Sequence, residues 1–312
     1  MEEIITIDRM GYGAQAVGRL DNGKTVFVEG GAPGDVAAVE IVEDKPTFAR
    51  ARIARLEEAS PLRAKPRCEA GATCGGCPWQ HLAYDAQLDA KRANVVAALE
   101  RTAKLDHERA EELVRPCLPS KRQWGYRNKL ELGAAFDEHG TFQLGFRREG
   151  THDIASPGIC PLAHDAIAKA PKALRGALRF AQGSADLGIF RVGVRHSLRT
   201  GDLEVALWTN PGSFPRGHIA KTVKSAVKAS SIVRVMADPG KARKIKGVET
   251  LDGKGCWEEQ LGSARYLASA PSFFQVNTAQ AEKLVACVIE GLGGRMAEDG
   301  PESLDDLLIA DL

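Results

Sequence analysis

Apolar and polar positions alternate along "EIITIDRM", "TVFVEG", "DVAAVEIVED" and "FARARIARL" in the first fifth of the chain. An Asn22-Gly23 turn and a Pro33-Gly34 turn separate these runs. Period-two alternation with turn residues at this spacing predicts short strands closing into a small barrel over residues 1–57. The run "GYGAQA" has the outline of a dinucleotide fingerprint, Gly11-x-Gly13-x-x-Ala16. That fingerprint needs a helix behind it to bring backbone N–H groups to a pyrophosphate, whereas a hairpin pattern follows here. The glycines are assigned to a bulge or a tight barrel corner.

The pattern then changes. "SPLRAKPRC" reads as a proline-punctuated linker. "HLAYDAQLDAKRANVVAALERTAKL" has helical period, with Leu88, Val95 and Leu99 on the apolar side. Residues 115–270 read as mostly strands with one or two helices. "YRNKLELGAAF" and "TFQLGFRR" flank a His139-Gly140 turn, and "IFRVGVRHSL", "LEVALWTN" and "SIVRVMAD" follow. "GHIAKTVKSAVKAS" is an amphipathic helix with Ile219, Val223 and Val227 on one face. Its Lys221, Lys224 and Lys228 form a stripe that reads as a solvated face, with an RNA-facing stripe as the minority reading. Asn277 or Thr278 caps a last helix carrying Leu284, Val285, Val288 and Leu292, ended by Gly293 or Gly294. "IADL" at the end reads as a buried strand. The fold class is α+β and strand-rich.

Charge refines this picture only locally. The 312 residues carry 42 Lys and Arg against 41 Asp and Glu, so the whole chain favours no polyelectrolyte partner. Lys45 to Arg67, however, holds seven cations (Lys45, Arg50, Arg52, Arg55, Arg63, Lys65, Arg67) and two Glu. This is either a nucleic-acid face or a solvated strand and loop. Residues 298–312 hold six acidic residues and no cation. "MEEIITIDRM" has neither a basic n-region nor an apolar h-region, and no apolar run approaches membrane-spanning length. A cytoplasmic protein away from the membrane, monomeric, is expected.

Seven cysteines, three of them within "CEAGATCGGC", argue against a disulfide framework. The spacing Cys68-x5-Cys74-x2-Cys77 encloses Gly75-Gly76. Glycines let a backbone fold tightly round a cluster. Zinc sites are usually built from two separate two-ligand knuckles, whereas a triplet plus one distant cysteine is closer to iron–sulfur ligation. Cys117, Cys160, Cys256 and Cys287 are candidates for the fourth ligand. Cys287 lies among apolar helix positions and reads as a buried structural thiol. Cys160, in the proline-bracketed loop "ASPGICPLAH", is modestly favoured over Cys117.

The run from Cys68 to "QH", with a long helix behind it, resembles the cluster segment of bacterial RNA uracil-C5 methyltransferases. These are S-adenosylmethionine-dependent enzymes that make 5-methyluridine in ribosomal and transfer RNA. "YRNK" at Tyr126–Lys129, "LGFRREGTHDIASPGIC" and "SFFQVN" at Ser272–Asn277 are similar to further motifs of that family, in its order. The first 57 residues resemble its N-terminal TRAM domain, an RNA-binding barrel. The resemblance implies a [4Fe–4S] cluster on Cys68, Cys74, Cys77 and Cys160, and points to the 23S ribosomal RNA branch. It implies S-adenosylmethionine as cofactor, with Gln275 as one contact. It also suggests Phe273 and Phe274 for stacking on a base, against core packing, and Arg50, Arg52 and Arg55 for phosphate contacts.

The domain plan that follows is a barrel over 1–57, a cysteine loop and helix over 58–110, a β-rich central domain over 111–270, and a linker helix with the first strand of a Rossmann-like methyltransferase domain over 271–312. In the resembled family the nucleophilic cysteine and the carboxylate base lie in that last domain. They are therefore expected beyond Leu312, no catalytic residue is assigned, and residues 1–312 alone are expected to be inactive. The alternative is a stand-alone iron–sulfur or zinc RNA-binding protein without methyltransferase activity.

Overall fold

The computed structural model describes residues 2–291 apart from 72, 149–150, 152, 184 and 241–243. The chain divides into two compact units, Met1–Gln123 with Phe146–Pro157, and Trp124–Gly145 with Gly158–Leu312. The final strand expected at "IADL" lies outside the described residues, as do Leu292 and the glycines behind it.

In the first unit, β1 (Glu2–Met10), β2 (Ala16–Arg19), β3 (Thr25–Glu29), β4 (Val36–Asp44) and β5 (Phe48–Glu58) form a closed barrel of order β1-β2-β3-β5-β4. Closure leaves no strand edge unpaired. The alternation seen in sequence fills the interior with Ile5, Ile7, Val26, Val28, Val39, Ala49 and Ala51. The "GYGAQA" run leads straight into β2 and not into a helix. Gly11 is needed because a Cβ there would stand 2.8 Å from the Gln15 carbonyl oxygen. The Gly13 carbonyl accepts from Trp79 Nε1 at 2.8 Å and the Gly11 carbonyl from Asn94 Nδ2 at 3.1 Å. The run thus anchors the segment that follows the barrel.

A buried carboxylate fixes the barrel exit. Asp35 is inaccessible to solvent. It accepts from Ala32 N at 2.6 Å and Ser60 N at 2.9 Å, and from Arg63 Nε and Nη2 at 2.8 and 2.7 Å. Burial pushes its carboxyl up, but the guanidinium and the two backbone donors together hold it below the usual carboxylate range.

Beyond the linker, α1 (Tyr84–Ala98) continues into a π turn, Leu99–Ala103, and stops at Lys104 in the left-handed region. A short α2 (His107–Leu113) follows. The apolar side of α1 differs from the expected one by one position, since Val96 is buried and Val95 exposed. Adjacent valines cannot share a helix face, and the period alone did not choose between them.

The second unit is built on a sheet of β6 (Lys129–Phe136), β7 (Phe142–Arg147), β9 (Ile189–His196), β10 (Leu203–Thr209), β11 (Ser231–Met236) and β12 (Gly247–Gly253), in the order β12-β11-β10-β9-β6-β7. The last two residues of β7 pair with β8 (Ile154–Ala155). Only β10 and β11 run parallel among these neighbours, joined by the crossover helix α5 (Arg216–Val227). Helices α3 (Asp165–Ala168) and α4 (Ala170–Gln182) precede β9, and α4 packs against α5. A hairpin of β13 (Trp257–Leu261) and β14 (Ala264–Ala268) leads to α6 (Thr278–Gly291).

Asn277 Oδ1 accepts from Gln280 N, as expected of a cap. The apolar positions of α6 hold a surprise. Leu284, Val285 and Val288 are 44–55% exposed, and Cys287 is exposed rather than buried. Apolar spacing on α6 marks a face, and among the described residues nothing covers that face.

Candidate functional site

Arg50, Arg52 and Arg55 lie on β5 with side chains about half to two-thirds exposed. Strict alternation would turn Arg55 to the opposite face from the other two. A bulge corrects this. Val39 pairs with Ile53 and Ala38 with Arg55, so Ala54 is the extra residue and Arg55 returns to the outer face. Each guanidinium lies against a nearby glutamate. Arg52 Nε and Nη2 reach Glu40 Oε2 at 2.9 and 2.8 Å, Arg50 Nε lies 3.2 Å from Glu43 Oε2, and Arg55 Nε lies 3.0 Å from Glu57 Oε1. Exposed pairs of this kind are weak, so a phosphate can displace them.

The cysteine loop belongs to the same unit. Cys74 N bonds to Ala70 O at 2.8 Å, Gly71 N to Cys68 O at 3.0 Å, and Cys68 N to Gln80 Oε1 at 3.0 Å. A Cβ on Gly76 would lie 3.5 Å from Cys74 Sγ, so the glycine sits over that sulfur. Cys74 and Cys77 line a cleft of about 560 Å³ with Gln80, His81, Arg148 and Asp153. Three half-buried thiols within ten residues are the donor type that a thiolate-bound metal or cluster takes. Their placement does not complete such a site: among the described residues no three His, Cys, Asp or Glu side chains converge closely enough to hold a metal. The convergence expected of Cys68, Cys74 and Cys77 is therefore not found. Cys160 lies in the second unit, half-buried, with its N–H on Ala168 O at 3.0 Å.

Two of the motifs, far apart in sequence, meet in the second unit. Asn128 of "YRNK" is buried, and its Nδ2 donates to Gln275 O at 2.9 Å and Thr278 Oγ1 at 3.0 Å. Its backbone N–H reaches Val276 O at 2.8 Å, and Arg127 forms a bridge with Asn277. Thr278 Oγ1 in turn donates to the buried Glu259 Oε2 at 3.0 Å, while Glu259 Oε1 accepts from Ser197 Oγ at 2.6 Å. Gln275 thus has a pinned backbone and an exposed side chain, an arrangement suited to presenting an amide to a ligand. The two phenylalanines part company. Phe274 packs edge-on against Trp257 (5.1 Å, 84°) and Tyr266 (6.0 Å, 68°). Phe273 is 81% exposed and available to stack.

Sequence reasoning missed Arg195. On β9 it is 2% exposed, donates to Ser269 O at 3.1 Å and to Ser272 O, and lies 5.5 Å over the Trp257 ring. It therefore holds the chain just before Phe273. Nothing in an alternating strand distinguishes an arginine with this role from a solvated one.

Comparison with known proteins places these features in context. Residues 2–54 match the TRAM domain model. The chain is 33% identical over 290 residues to an uncharacterized RNA methyltransferase of Halalkalibacterium halodurans, covering 90% of this chain and 62% of that protein. It is 29% identical over 313 residues to one of Thermosynechococcus vestitus, covering 97% and 67%. The crystal structure of Pyrococcus abyssi tRNA (uracil-54, C5)-methyltransferase in complex with S-adenosyl-L-homocysteine is similar at a TM-score of 0.66 and 26% identity, over 92% of this chain and 64% of that one. The chain thus spans a little over three-fifths of the length of the Halalkalibacterium relative and of this solved chain. No described helix is long and apolar enough to cross a membrane.

Proposed function

We propose that this protein takes part in S-adenosylmethionine-dependent methylation of uridine C5 in RNA, with 23S ribosomal RNA as the substrate. The observation that carries the reading is likeness along nearly the whole chain, to RNA methyltransferases in sequence and to a uracil-C5 methyltransferase in structure. The TRAM match at residues 2–54 supports the RNA partner.

Carbon 5 of uracil is a weak nucleophile. Attack of a thiolate at carbon 6 makes an enolate whose carbon 5 can take a methyl group, with S-adenosyl-L-homocysteine leaving; a base then removes the carbon 5 proton as the carbon 6–sulfur bond breaks, which expels the thiolate and restores the 5,6 double bond. When bound, the cofactor supplies the electrophilic methyl. The residues assigned here bind and orient. Arg50, Arg52 and Arg55 take phosphates, Phe273 stacks on a displaced base, and the Gln275 amide contacts the cofactor. No described cysteine is assigned the nucleophile's role.

The same reading gives Cys68, Cys74, Cys77 and Cys160 to one [4Fe–4S] cluster. Support comes from the triplet spacing, the glycine over Cys74 and the position of Cys160 in the motif order. A cluster would draw the thiolates together and stabilise their loops.

The test is binding of unmodified 23S ribosomal RNA and of transfer RNA by residues 1–312, measured separately. Tighter binding of ribosomal RNA is the expected result. Tighter binding of transfer RNA overturns the substrate, and binding of neither overturns the reading. Iron and sulfide analysis of anaerobically purified protein should give about four irons per chain. One zinc in colourless protein rejects the cluster, and full iron in Cys160→Ser rejects only the fourth ligand.

A further inference from the structure

The two helices packed together in the second unit carry charge of one sign. Residues 169–185 contain Lys169, Lys172, Arg175 and Arg179 and no acidic residue. Residues 210–236 contain Arg216, Lys221, Lys224, Lys228 and Arg234 and again no acidic residue. In a chain with 42 cations and 41 anions this is a local exclusion of acid. Solvated helix faces normally mix signs, because opposite charges three or four residues apart stabilise a helix.

The exposed positions of α4 include 172, 176 and 179, with Gly183 just past its end, and those of α5 include 217, 221 and 224, with Lys228 just past its end. Each series is one straight stripe on a helix. The opposite sides are buried through Leu174 and Leu178 on α4 and Ile219 and Val223 on α5. Helices α4 and α5 pack on each other, so the two stripes belong to neighbouring helices. Arg216 is paired with Glu249 and Lys224 with Asp252, both acids of β12. Lys172, Arg179, Lys221 and Lys228 are exposed and make no ion pair among the described residues. Phe180, next to Arg179, is 78% exposed.

We propose that the α4–α5 face is a second RNA-docking surface, in which Lys172, Arg179, Lys221 and Lys228 take phosphates of a folded RNA and Phe180 stacks on an unpaired base beside them. It rests on the reading of RNA as substrate and adds a surface distinct from the barrel. The charge match is quantitative in outline. Seven residues of helix separate Lys172 from Arg179, and Lys221 from Lys228, a rise of ~10 Å in each stripe. A nucleic-acid duplex carries one charge per ~1.7 Å of axis, so several phosphates face such a patch. An aromatic side chain bordering cations is the pairing that single-stranded loops use.

The experiment measures binding of a stem-loop fragment of 23S ribosomal RNA as a function of salt for four proteins. These are the wild type, K172E/R179E/K221E/K228E, the charge-matched control K91E/K104E/R115E/K121E, and R50A/R52A/R55A. The α4–α5 variant should bind at least ~10-fold more weakly than the control, with a salt slope lower by ~3. Phe180→Ala should weaken binding of the stem-loop, but not of a blunt duplex, and leave the slope unchanged. Equal losses in the α4–α5 variant and the control would overturn the proposal while leaving the barrel reading intact. Absence of RNA binding by the wild type would overturn both. A lowered melting temperature in the α4–α5 variant, with RNA affinity matching the control, would assign these cations to an intramolecular partner and overturn it as well.

Discussion

Arg195 on β9 and Glu204 on β10 stand directly opposite each other in the central sheet, yet Arg195 donates to Ser269 and Ser272 carbonyls while Glu204 Oε2 finds no hydrogen-bond partner among the described residues. Glu204 is 1% exposed. Burial pushes its carboxyl up to about 7, against the pull of Arg195. A raised carboxyl means that the folded state holds its proton where the unfolded state has lost it. Stability therefore falls as pH rises from the ordinary value near 4.5 to about 7. The cost of the charged form is on the order of 3 kcal/mol. Glu204→Gln should remove this dependence and be more stable than wild type at pH 8 but not at pH 4.5. Denaturant unfolding at the two pH values measures it, and an equal difference at both would refute the account.

Asn128 should be the residue that couples the two motifs of the second unit. Its side chain makes two hydrogen bonds in a buried setting, to Gln275 O and Thr278 Oγ1. Asn128→Ala leaves the Gln275 carbonyl without this donor and opens a small cavity. A loss of ~2–3 kcal/mol in unfolding free energy is expected. Affinity for S-adenosyl-L-homocysteine should fall as well if Gln275 contacts the cofactor. A loss below ~0.5 kcal/mol would show that the motifs are held together by other contacts.

Much of this architecture was legible in sequence, for a physical reason. The barrel strands are half-buried, so alternation of Ile5 and Ile7 with polar neighbours records both the strand and its inner face. The interior of the second sheet is harder to read. β10 is buried at all seven positions, including Glu204, so its pattern gives no face. Helix α4 is hard to place in sequence because Pro171 and Gly176 are poor helix formers. Pro171 instead sits in the first turn, where its missing N–H costs nothing. The bulge at Ala54 and the hydrogen bonds from Trp79 and Asn94 to the "GYGAQA" loop depend on distant partners that no local window contains. Motif spacing likewise identified the thiols but not their positions in space.

Asp35 and Arg63 give the barrel its own acid sensitivity. The carboxyl of Asp35 is depressed, so its contribution is present above the ordinary value near 3.8 and is lost as pH falls through the folded value. Arg63→Met should leave a buried carboxylate with only the Ala32 and Ser60 donors. The expected cost is ~3 kcal/mol at pH 7, because an uncompensated buried charge is expensive. Acid unfolding of this variant should begin at higher pH than in wild type. A variant with unchanged stability at pH 7 would show that the two backbone donors suffice.

The barrel's part in RNA binding is tested by Arg50→Ala, Arg52→Ala and Arg55→Ala together. Each guanidinium already lies against a glutamate, so the question is whether a phosphate competes with it. The existing pairs are exposed and weak, and their removal should leave the fold intact. Glu40 and Glu57 would then stand without their cations and Glu43 would keep only Lys45, so the outer face of β4 and β5 would become more negative. RNA affinity should fall by more than simple loss of three contacts implies, because the remaining carboxylates repel the backbone. The dependence of log affinity on log salt should flatten by ~2–3 for three phosphate contacts. Reducing the three glutamates to Gln in the same background should restore part of the affinity but not the slope, since screening of repulsion and release of counterions are separate effects. An unchanged slope in the triple arginine variant would place the RNA on another face of the barrel.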